Sequence, residues 1–220
     1  MVRTDEDIKK DIVDQLYWDP RVDATDVNID VNDGKVMLTG NVPDYTAKGS
    51  SSSDAWVVDG VTEVKNEVIV EFPETFAIPT DQEIKSDIES SLSLNYGIDD
   101  TDITVTVVDG LVTIKGTVPT YWEKMKAEDI ASGITGVVNV INKLGVVPTE
   151  DIADQIVAED VVNAIARNVN VSVEDIDVEV NDGVVNLSGT VPDWITYDAA
   201  MDAALYTTGV KDVVDNILIA

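Results

Sequence analysis

Hydrophobic and polar positions follow the same two patterns three times along the chain. Three stretches carry apolar residues at helical spacing; these stripes are Ile8/Ile12/Leu16, Ile84/Ile88/Leu92 and Val157/Val161/Ile165. Three later stretches alternate at every second residue, as half-buried strands do; these are Val27/Ile29/Val31, Ile103/Val105/Val107 and Ile176/Val178/Val180. Each alternating stretch runs into Asp-Gly, a strong signal for a two-residue hairpin turn. The patterns predict three helix and hairpin units.

The three units share one register. The segments "NDGKVMLTGNVP", "VDGLVTIKGTVP" and "NDGVVNLSGTVP" align without gaps, and their turn glycines Gly34, Gly110 and Gly183 are 76 (110 − 34) and 73 (183 − 110) residues apart. The same offsets separate the later Gly-Val pairs, which begin at Gly60, Gly136 and Gly209. Internal repeats of this kind indicate a repeated structural unit. Each unit is predicted to contain, in order, a helix, two strands, a helix and a last strand.

We therefore predict an α+β fold of three tandem αββαβ domains, each with two helices packed on a three-stranded sheet. The predicted domains span residues 1–73, 79–148 and 149–220. The Pro-bearing segments "EFPETFAIPT" and "GVVPTE" are the predicted linkers. Units of this size are marginally stable alone, so we expect them to pack on one another or on partners, through strand edges or the free sheet face.

The stretch "KGSSSSD", residues 48–54, has the composition of a flexible linker. Its register with the other units nevertheless places it inside the second helix of the first unit, and Ala55 matches Ala131 and Ala204 on the expected buried side. Glycine costs about 1 kcal/mol and serine roughly half of that relative to alanine inside a helix. We predict a helix here that depends on packing.

The starts of the first helices carry different signals in the three units. Thr4 and Thr80 stand where N-caps are expected, and Thr80 with Glu83 fits a capping box. The third unit has Ala153 at that place. Because alanine is a poor N-cap, we expect the third helix to begin near Thr149 and to run longer.

The repeated unit, with a strand entering "DGxVxLxGxVP" and a later "GV" before the final strand, resembles the BON domain, a family named for bacterial osmotically induced and nodulation proteins. The resemblance covers residues 4–72, 80–147 and 152–220. It implies tandem, non-enzymatic domains at the periplasm or cell envelope. It also implies that the domains bind phospholipid surfaces or act as attachment modules under osmotic stress.

The net charge of the chain affects which partners we expect it to bind. The chain has 43 acidic and 14 basic residues, a net charge of -29 and a pI near 4.1. Such a field repels nucleic acid and anionic membrane surfaces, and it favours cations and basic partners. It also suits a high-salt environment. The N-terminus does not look like a signal peptide and no apolar run is long enough to span a membrane, so a cytoplasmic location stays open beside the envelope.

Candidate chemistry is sparse. The absence of cysteine and histidine excludes disulfides, thiolate zinc sites and histidine-based triads. The alternating Asp26, Asn28 and Asp30 suggest a calcium loop, but Val31 and Met37 occupy the places that need Gly and Glu, so we interpret them as the solvated face of a strand. We predict no catalytic residue, no cofactor and no metal site.

An aromatic residue opens the second helix of every unit, at Tyr45, Tyr121 and Trp194, and Trp122 follows Tyr121. These residues are candidates for stacking or membrane-interface contacts; the alternative is that they pack on the sheet. Trp122 has no aromatic counterpart and is the stronger candidate for a surface contact. The leading hypothesis is an adaptor that binds a membrane surface or an envelope protein. The alternatives are a soluble protein that binds divalent cations or small ligands, and acidity that serves only as adaptation to high salt.

Overall fold

The computed structural model describes residues 3–168 and 176–220 and contains, within them, six helices and three sheets. The helices are α1 (Asp5–Trp18), α2 (Tyr45–Trp56), α3 (Asp81–Leu94), α4 (Tyr121–Ser132), α5 (Asp154–Arg167) and α6 (Trp194–Leu205). The strands are β1 (Val27–Asn32), β2 (Lys35–Val42), β3 (Glu63–Asn66), β4 (Ile69–Val70), β5 (Ile103–Val108), β6 (Leu111–Val118), β7 (Asn139–Val146), β8 (Ile176–Asn181), β9 (Val184–Val191) and β10 (Asp212–Ile219).

Each unit builds the same sheet around its second strand. In the second unit, β6 pairs antiparallel with β5 and parallel with β7, and β9 does the same with β8 and β10. In the first unit β2 pairs with β1 and with a third strand in two pieces, β3 and β4. The parallel pairing needs a crossover, which the second helix supplies. The predicted α+β fold of three αββαβ units is confirmed.

The hairpin turns fix the start of the first helix in every unit. Asp33 and Gly34 have φ angles of 50° and 74°, and two successive positive φ values are typical of the turn that asparagine or aspartate followed by glycine forms. The carboxylate of Asp5, the first residue of α1, accepts hydrogen bonds from the backbone N–H groups of Asp33 (3.0 Å) and Gly34 (3.1 Å). Asp81 and Asp154 bind the equivalent turns.

Each unit has its own hydrophobic core between helices and sheet. The predicted stripe residues of α1, α3 and α5 are all buried, and they pack against the inward side chains of the middle strands, such as Leu38, Ile114 and Leu187. Full burial of one such side chain stabilises the fold by about 1.5–3 kcal/mol. Three separate cores of this size explain why the chain divides into three units.

The serine-rich stretch is helical, as predicted, and belongs to α2. Ser51 is fully buried, and its hydroxyl donates to the carbonyl of Lys48 at 2.8 Å. The side-chain amide of Asn66 donates to that carbonyl and to the hydroxyl of Ser52, each at 2.8 Å. Packing and these hydrogen bonds therefore offset the poor helix propensity of the sequence.

The predicted caps have a mixed outcome. Thr4 caps α1, and Thr80 with Glu83 forms the capping box of α3. The prediction of a longer helix from Thr149 is wrong, because α5 begins at Asp154 with Ala153 as its uncapped N-cap. Asp154 must begin the helix to reach the Gly183 turn, and Ile152 packs against the core ahead of it.

Candidate functional site

The aromatic residues that open the second helices are held in place by N-caps. The side chains of Asp44, Thr120 and Asp193 each accept a hydrogen bond from the backbone N–H three residues later, at 2.7, 3.1 and 2.8 Å. An N-cap satisfies one of the free N–H groups at the helix start and fixes the entry of the chain. The next residue is in each case the aromatic one, so its direction is set by the cap.

Tyr45 reaches out of the first unit into the second. It is half-buried and packs against the core of the second unit rather than its own. Its hydroxyl donates to Oδ1 of Asn139, the first residue of the edge strand β7, at 3.2 Å. Burial is the main cause that raises the pKa of the Tyr45 hydroxyl. Tyr45 therefore serves as a contact between units.

Tyr121 makes the same contact between the second and third units. It packs against the core of the third unit, and burial raises its pKa. The ammonium of Lys124 lies 5.5 Å from the centre of the Tyr121 ring, within the range of a cation–π interaction. Lys124 also pairs with Asp212, the first residue of β10, at 3.2 Å.

Trp194 carries the contact from the third unit back to the first. Its ring stacks on Trp56, at the end of α2, with centroids 4.6 Å apart, and on Tyr197 at 4.8 Å. The hydroxyl of Tyr197 donates to Asp215 at 2.7 Å, and burial raises the pKa of that hydroxyl. Offset aromatic pairs contribute about 0.5–1.5 kcal/mol beyond the area they bury.

The three contacts close a ring. The first unit contacts the second, the second contacts the third, and the third contacts the first. Each contact uses the same helix start, and Asn139 and Asp212 are equivalent positions on the receiving units. Head-to-tail contacts between three repeats can close into a cycle, and these three contacts do so. Two contacts run from a helix start to the beginning of an edge strand, and the third runs from a helix start to the end of α2. Among the described residues, none of these three contacts uses the free sheet faces that we expected as an alternative.

Trp122 lies apart from these contacts. It is half-buried, and its ring covers Gly97 of its own unit so closely that a Cβ at Gly97 would stand 2.8 Å from it. The structure thus brings Tyr45, Tyr121 and Trp194 to the ring interfaces and leaves Trp122 on the flank of one unit. Its role in binding a partner stays a prediction.

A second group of residues, which the sequence analysis missed, lies at the C-terminal ends of the first helices. Trp18 is 77% exposed and Leu94 is 86% exposed, and Arg167, also exposed, occupies the equivalent position in the third unit. Tyr17 and Tyr96 are exposed beside them. We call these five residues the helix-end surface. The sequence signal for this surface is the presence, in the last helical turn, of apolar residues that do not belong to the buried stripe.

Trp18, Leu94 and Arg167 occupy one register position, 76 (94 − 18) and 73 (167 − 94) residues apart. These three residues therefore end the first helix of each unit at the same point of the repeat.

The acidic residues do not assemble into a metal site in the part of the chain that the structure describes, where no group of three or more carboxylates stands close enough to hold an ion. Among the residues that the structure describes, two carboxylates are buried. Glu123 accepts hydrogen bonds from the Asp99 backbone (2.9 Å) and the Thr120 hydroxyl (3.0 Å), which is a structural role. Asp54 lies between α1 and α2 beside Asp19. No described helix is both long and apolar enough to cross a membrane.

Comparison with known proteins agrees with this architecture. The family model of the BON domain matches residues 4–71, 80–148 and 153–220. The chain is 34% identical over 128 residues to the outer membrane lipoprotein DolP of Haemophilus influenzae, which covers 58% of this chain and 63% of that protein. It is 30% identical over 152 residues to the osmotically-inducible protein Y of Escherichia coli, which covers 62% of this chain and 71% of that one.

The chain therefore spans less than two thirds of the first of these relatives. A solved structure of CdsD, a structural protein of the type III secretion system of Chlamydia trachomatis, aligns over 97% of this chain and 92% of its own at 16% identity, with a TM-score of 0.28. The family match extends over all three units. The chain is a member of the BON-domain family.

Proposed function

We propose that this protein is a non-enzymatic attachment module of the cell envelope that binds lipid surfaces through its helix-end surface. The names of the two relatives, an outer membrane lipoprotein and an osmotically inducible protein, support an envelope role. This proposal rests mainly on one observation. Trp18, Leu94 and Arg167 are exposed and occupy equivalent positions in the three units, which form a closed ring.

The composition of this surface suits the boundary between lipid and water. Aromatic residues with a polar atom prefer the headgroup region of a membrane, and the side chains of Tyr17, Trp18 and Tyr96 are of this kind. Leu94 supplies apolar area that enters the acyl boundary, at about 25 cal/mol per Å² removed from water. Arg167 supplies a planar cation suited to a phosphate.

The acidic field determines which lipids the surface binds. A net charge of -29 repels an anionic bilayer from a distance. Salt or divalent cations that screen this field reduce the repulsion. The proposal therefore predicts binding to zwitterionic vesicles at low salt, and binding to anionic vesicles only with Ca²⁺ or high salt.

A non-enzymatic role is supported by the carboxylates that take part in structural hydrogen bonds. The buried Glu123 is engaged by the Asp99 backbone and the Thr120 hydroxyl. Asp5, Asp81 and Asp154 bind hairpin turns. These carboxylates hold the fold together, whereas catalysis needs groups that converge on a substrate in a water-excluding pocket.

Vesicle flotation tests this function. The intact chain is floated with zwitterionic and with anionic vesicles, at low and high salt, with and without Ca²⁺. Replacement of Trp18 and Leu94 by alanine is expected to lower the affinity for vesicles about tenfold, since two interfacial side chains of this size contribute more than 1.4 kcal/mol together.

The matched control replaces two exposed side chains away from the ends of α1, α3 and α5, Tyr206 and Leu218, each 65% exposed. It is expected to bind like the wild type. Absence of binding under every lipid condition contradicts the proposed function. Equal loss in both double variants contradicts the assignment of the surface.

A further inference from the structure

The free face of the second sheet carries no carboxylate. Strands β5, β6 and β7 contain neither Asp nor Glu, although 43 of the 220 residues of the chain are acidic. Side chains alternate between the two faces of a strand, and those on the side away from the helices include Thr104, Thr106, Lys115 and Lys143, all of them exposed. We call the outward side chains of these three strands the lysine face.

The two lysines of this face stand side by side without a counter-charge. Lys115 and Lys143 are register partners on the parallel strands β6 and β7. Among the residues that the structure describes, neither ammonium is paired with a carboxylate. The lysines of the first sheet, in contrast, form ion pairs on its face, Lys35 with Glu63 at 2.7 Å and Lys65 with Glu67 at 2.6 Å. Like charges directly opposite one another destabilise a sheet, so the lysine face favours an opposing anion.

The free face of the third sheet has the opposite charge. Strands β8, β9 and β10 contain neither Lys nor Arg, and their outward side chains, here the acidic face, include the exposed Asp177 and Glu179. Asp212 also belongs to this face, but it is already paired with Lys124 at 3.2 Å. Within the described part of the chain, Asp177 and Glu179 form no ion pair. The chain therefore carries faces of opposite sign on equivalent surfaces of two repeats.

Apolar side chains occupy matching places on the two faces. Leu111 and Ile141 lie half-buried on the lysine face. Val184 and Val214 hold the equivalent positions of the acidic face, 73 residues later in each case (184 − 111 and 214 − 141), and Val214 is 45% exposed. Contact between the two faces would remove all four side chains from water, which favours association.

The sheet topology brings opposite charges together when the two faces pack with β9 parallel to β6. Sheets packed in this aligned way lie about 10 Å apart, and because one of them is turned over, β8 lies over β7. Asp177 pairs with Ser188 in its own sheet. Ser188 is equivalent to Lys115 (188 − 115 = 73), which pairs with Lys143. Asp177 of one face therefore stands at the level of Lys143 of the other.

We propose that the lysine face of one copy of this chain binds the acidic face of a second copy. The opposite charges, the matching apolar pairs and the shared strand geometry identify the second copy as the partner. Because the contact joins two different surfaces, each copy keeps one free face of each sign, and the assembly extends into rows of copies. A face of three short strands is small, so the contact is transient and is populated only at high protein concentration.

The net charge of -29 opposes this contact from a distance. At an ionic strength of about 0.15 M the screening length is about 8 Å. Repulsion between the remote parts of two copies is therefore largely screened, whereas the facing charges of the contact act over a shorter distance. This ionic strength is the condition for the test.

Sedimentation velocity of the intact chain over a range of concentrations tests the contact. The sedimentation coefficient of the wild type is expected to rise with concentration. Lys115→Glu with Lys143→Glu gives the lysine face the same sign as its partner, and we expect it to weaken self-association at least about tenfold. The matched control is Lys9→Glu with Lys10→Glu, which makes the same charge change at exposed positions of α1 and is expected to associate like the wild type.

A charge exchange assigns the partner face. Asp177→Lys with Glu179→Lys makes the acidic face basic, and this variant alone is expected to remain a single copy. In an equimolar mixture with the variant of Lys115 and Lys143, a basic face again meets an acidic one, so association is expected to return. Circular dichroism verifies that each variant is folded.

Three results overturn the proposal. The first is a wild-type sedimentation coefficient that does not rise with concentration, since the lysine face would then require an acidic partner of another kind. The second is equal weakening in the lysine-face variant and in its matched control. The third is a mixture of the two exchanged variants that does not associate. None of these results bears on vesicle binding, because the helix-end surface contains none of the exchanged residues.

Discussion

A buried carboxyl group in the first unit makes the stability of this protein depend on pH. The side chain of Asp54 is 4% exposed, and within the described part of the chain its Oδ2 has no hydrogen-bond partner. Burial, followed by the charge of Asp19, raises the pKa of Asp54 from 3.8 to about 6. Arg21 offsets part of this effect, but its guanidinium is committed to Asp19 at 2.5 Å and helps to hold the pKa of Asp19 at about 2.

The direction of the pH effect follows from the raised pKa. A carboxyl group with a higher pKa in the folded state binds its proton more tightly there, so it stabilises the fold below pH 3.8 and loses this contribution as the pH rises through 6. The difference between the two pKa values corresponds to about 3 kcal/mol at most. At neutral pH the ionised Asp54 therefore makes the first unit less stable than it would be with an uncharged side chain at this position.

Asp54→Ala removes this group, and the third unit already has alanine at the equivalent position, the buried Ala203. The lost side chain leaves a small cavity that costs about 1 kcal/mol. At pH 7.5 we expect the variant to be more stable than the wild type by about 2 kcal/mol. At pH 4 we expect it to be less stable by about 0.5 kcal/mol, because Asp54 is then neutral in the folded state but partly ionised in the unfolded state, so the cavity cost is only partly offset.

Urea denaturation followed by circular dichroism between pH 4 and 8 measures the difference at each pH. Asp54→Asn separates charge from packing, since it removes the charge at nearly constant volume. Asp14→Ala is the matched control, because it makes the same charge change on an exposed part of α1, and its effect is expected to be small and without a change of sign. A difference between Asp54→Ala and the wild type that is constant with pH would mean that the charge of Asp54 does not destabilise the fold.

Two further predictions concern the backbone and the charge. Gly49→Ala, where an added Cβ meets nothing within 4 Å, should raise the free energy of unfolding by about 0.5–1 kcal/mol. Gly40→Ala, where φ is 111° and a Cβ would stand 1.9 Å from the carbonyl oxygen of Asp26, should lower it by more than about 2 kcal/mol in the same urea titration; equal effects would contradict the conformations of α2 and β2. Raising NaCl from 0.1 to 1 M shortens the screening length from about 10 to 3 Å and should raise the melting temperature by several degrees in calorimetry, whereas an unchanged value would contradict self-repulsion by the net charge of -29.

Local structure could be predicted from the sequence because it depends on neighbouring residues. The stripe of Ile8, Ile12 and Leu16 predicted α1 and its buried face, and Asp-Gly predicted the hairpin turn at Gly34. The helix across the serine run was predicted from register alone, and Ser51 occupies the buried position that the register implies. These signals repeat in every unit, so each confirms the others.

The ring could not be predicted in the same way. Tyr45, Tyr121 and Trp194 were recognised as candidates, but their partners lie in other units, and the path of the linkers decides which unit each one meets. Trp56, on which Trp194 stacks, has no aromatic counterpart at its repeat position. The start of α5 was missed because the tie between Asp154 and its hairpin turn is a tertiary contact.

The three units contact one another in a closed ring, and small-angle X-ray scattering of the intact chain in solution tests this arrangement. A compact arrangement of 220 residues predicts a radius of gyration of about 17 Å. Trp194→Ala removes the contact between the third and first units and should raise this radius. A wild-type radius above about 22 Å, unchanged in the variant, would mean that the three units do not contact one another in solution.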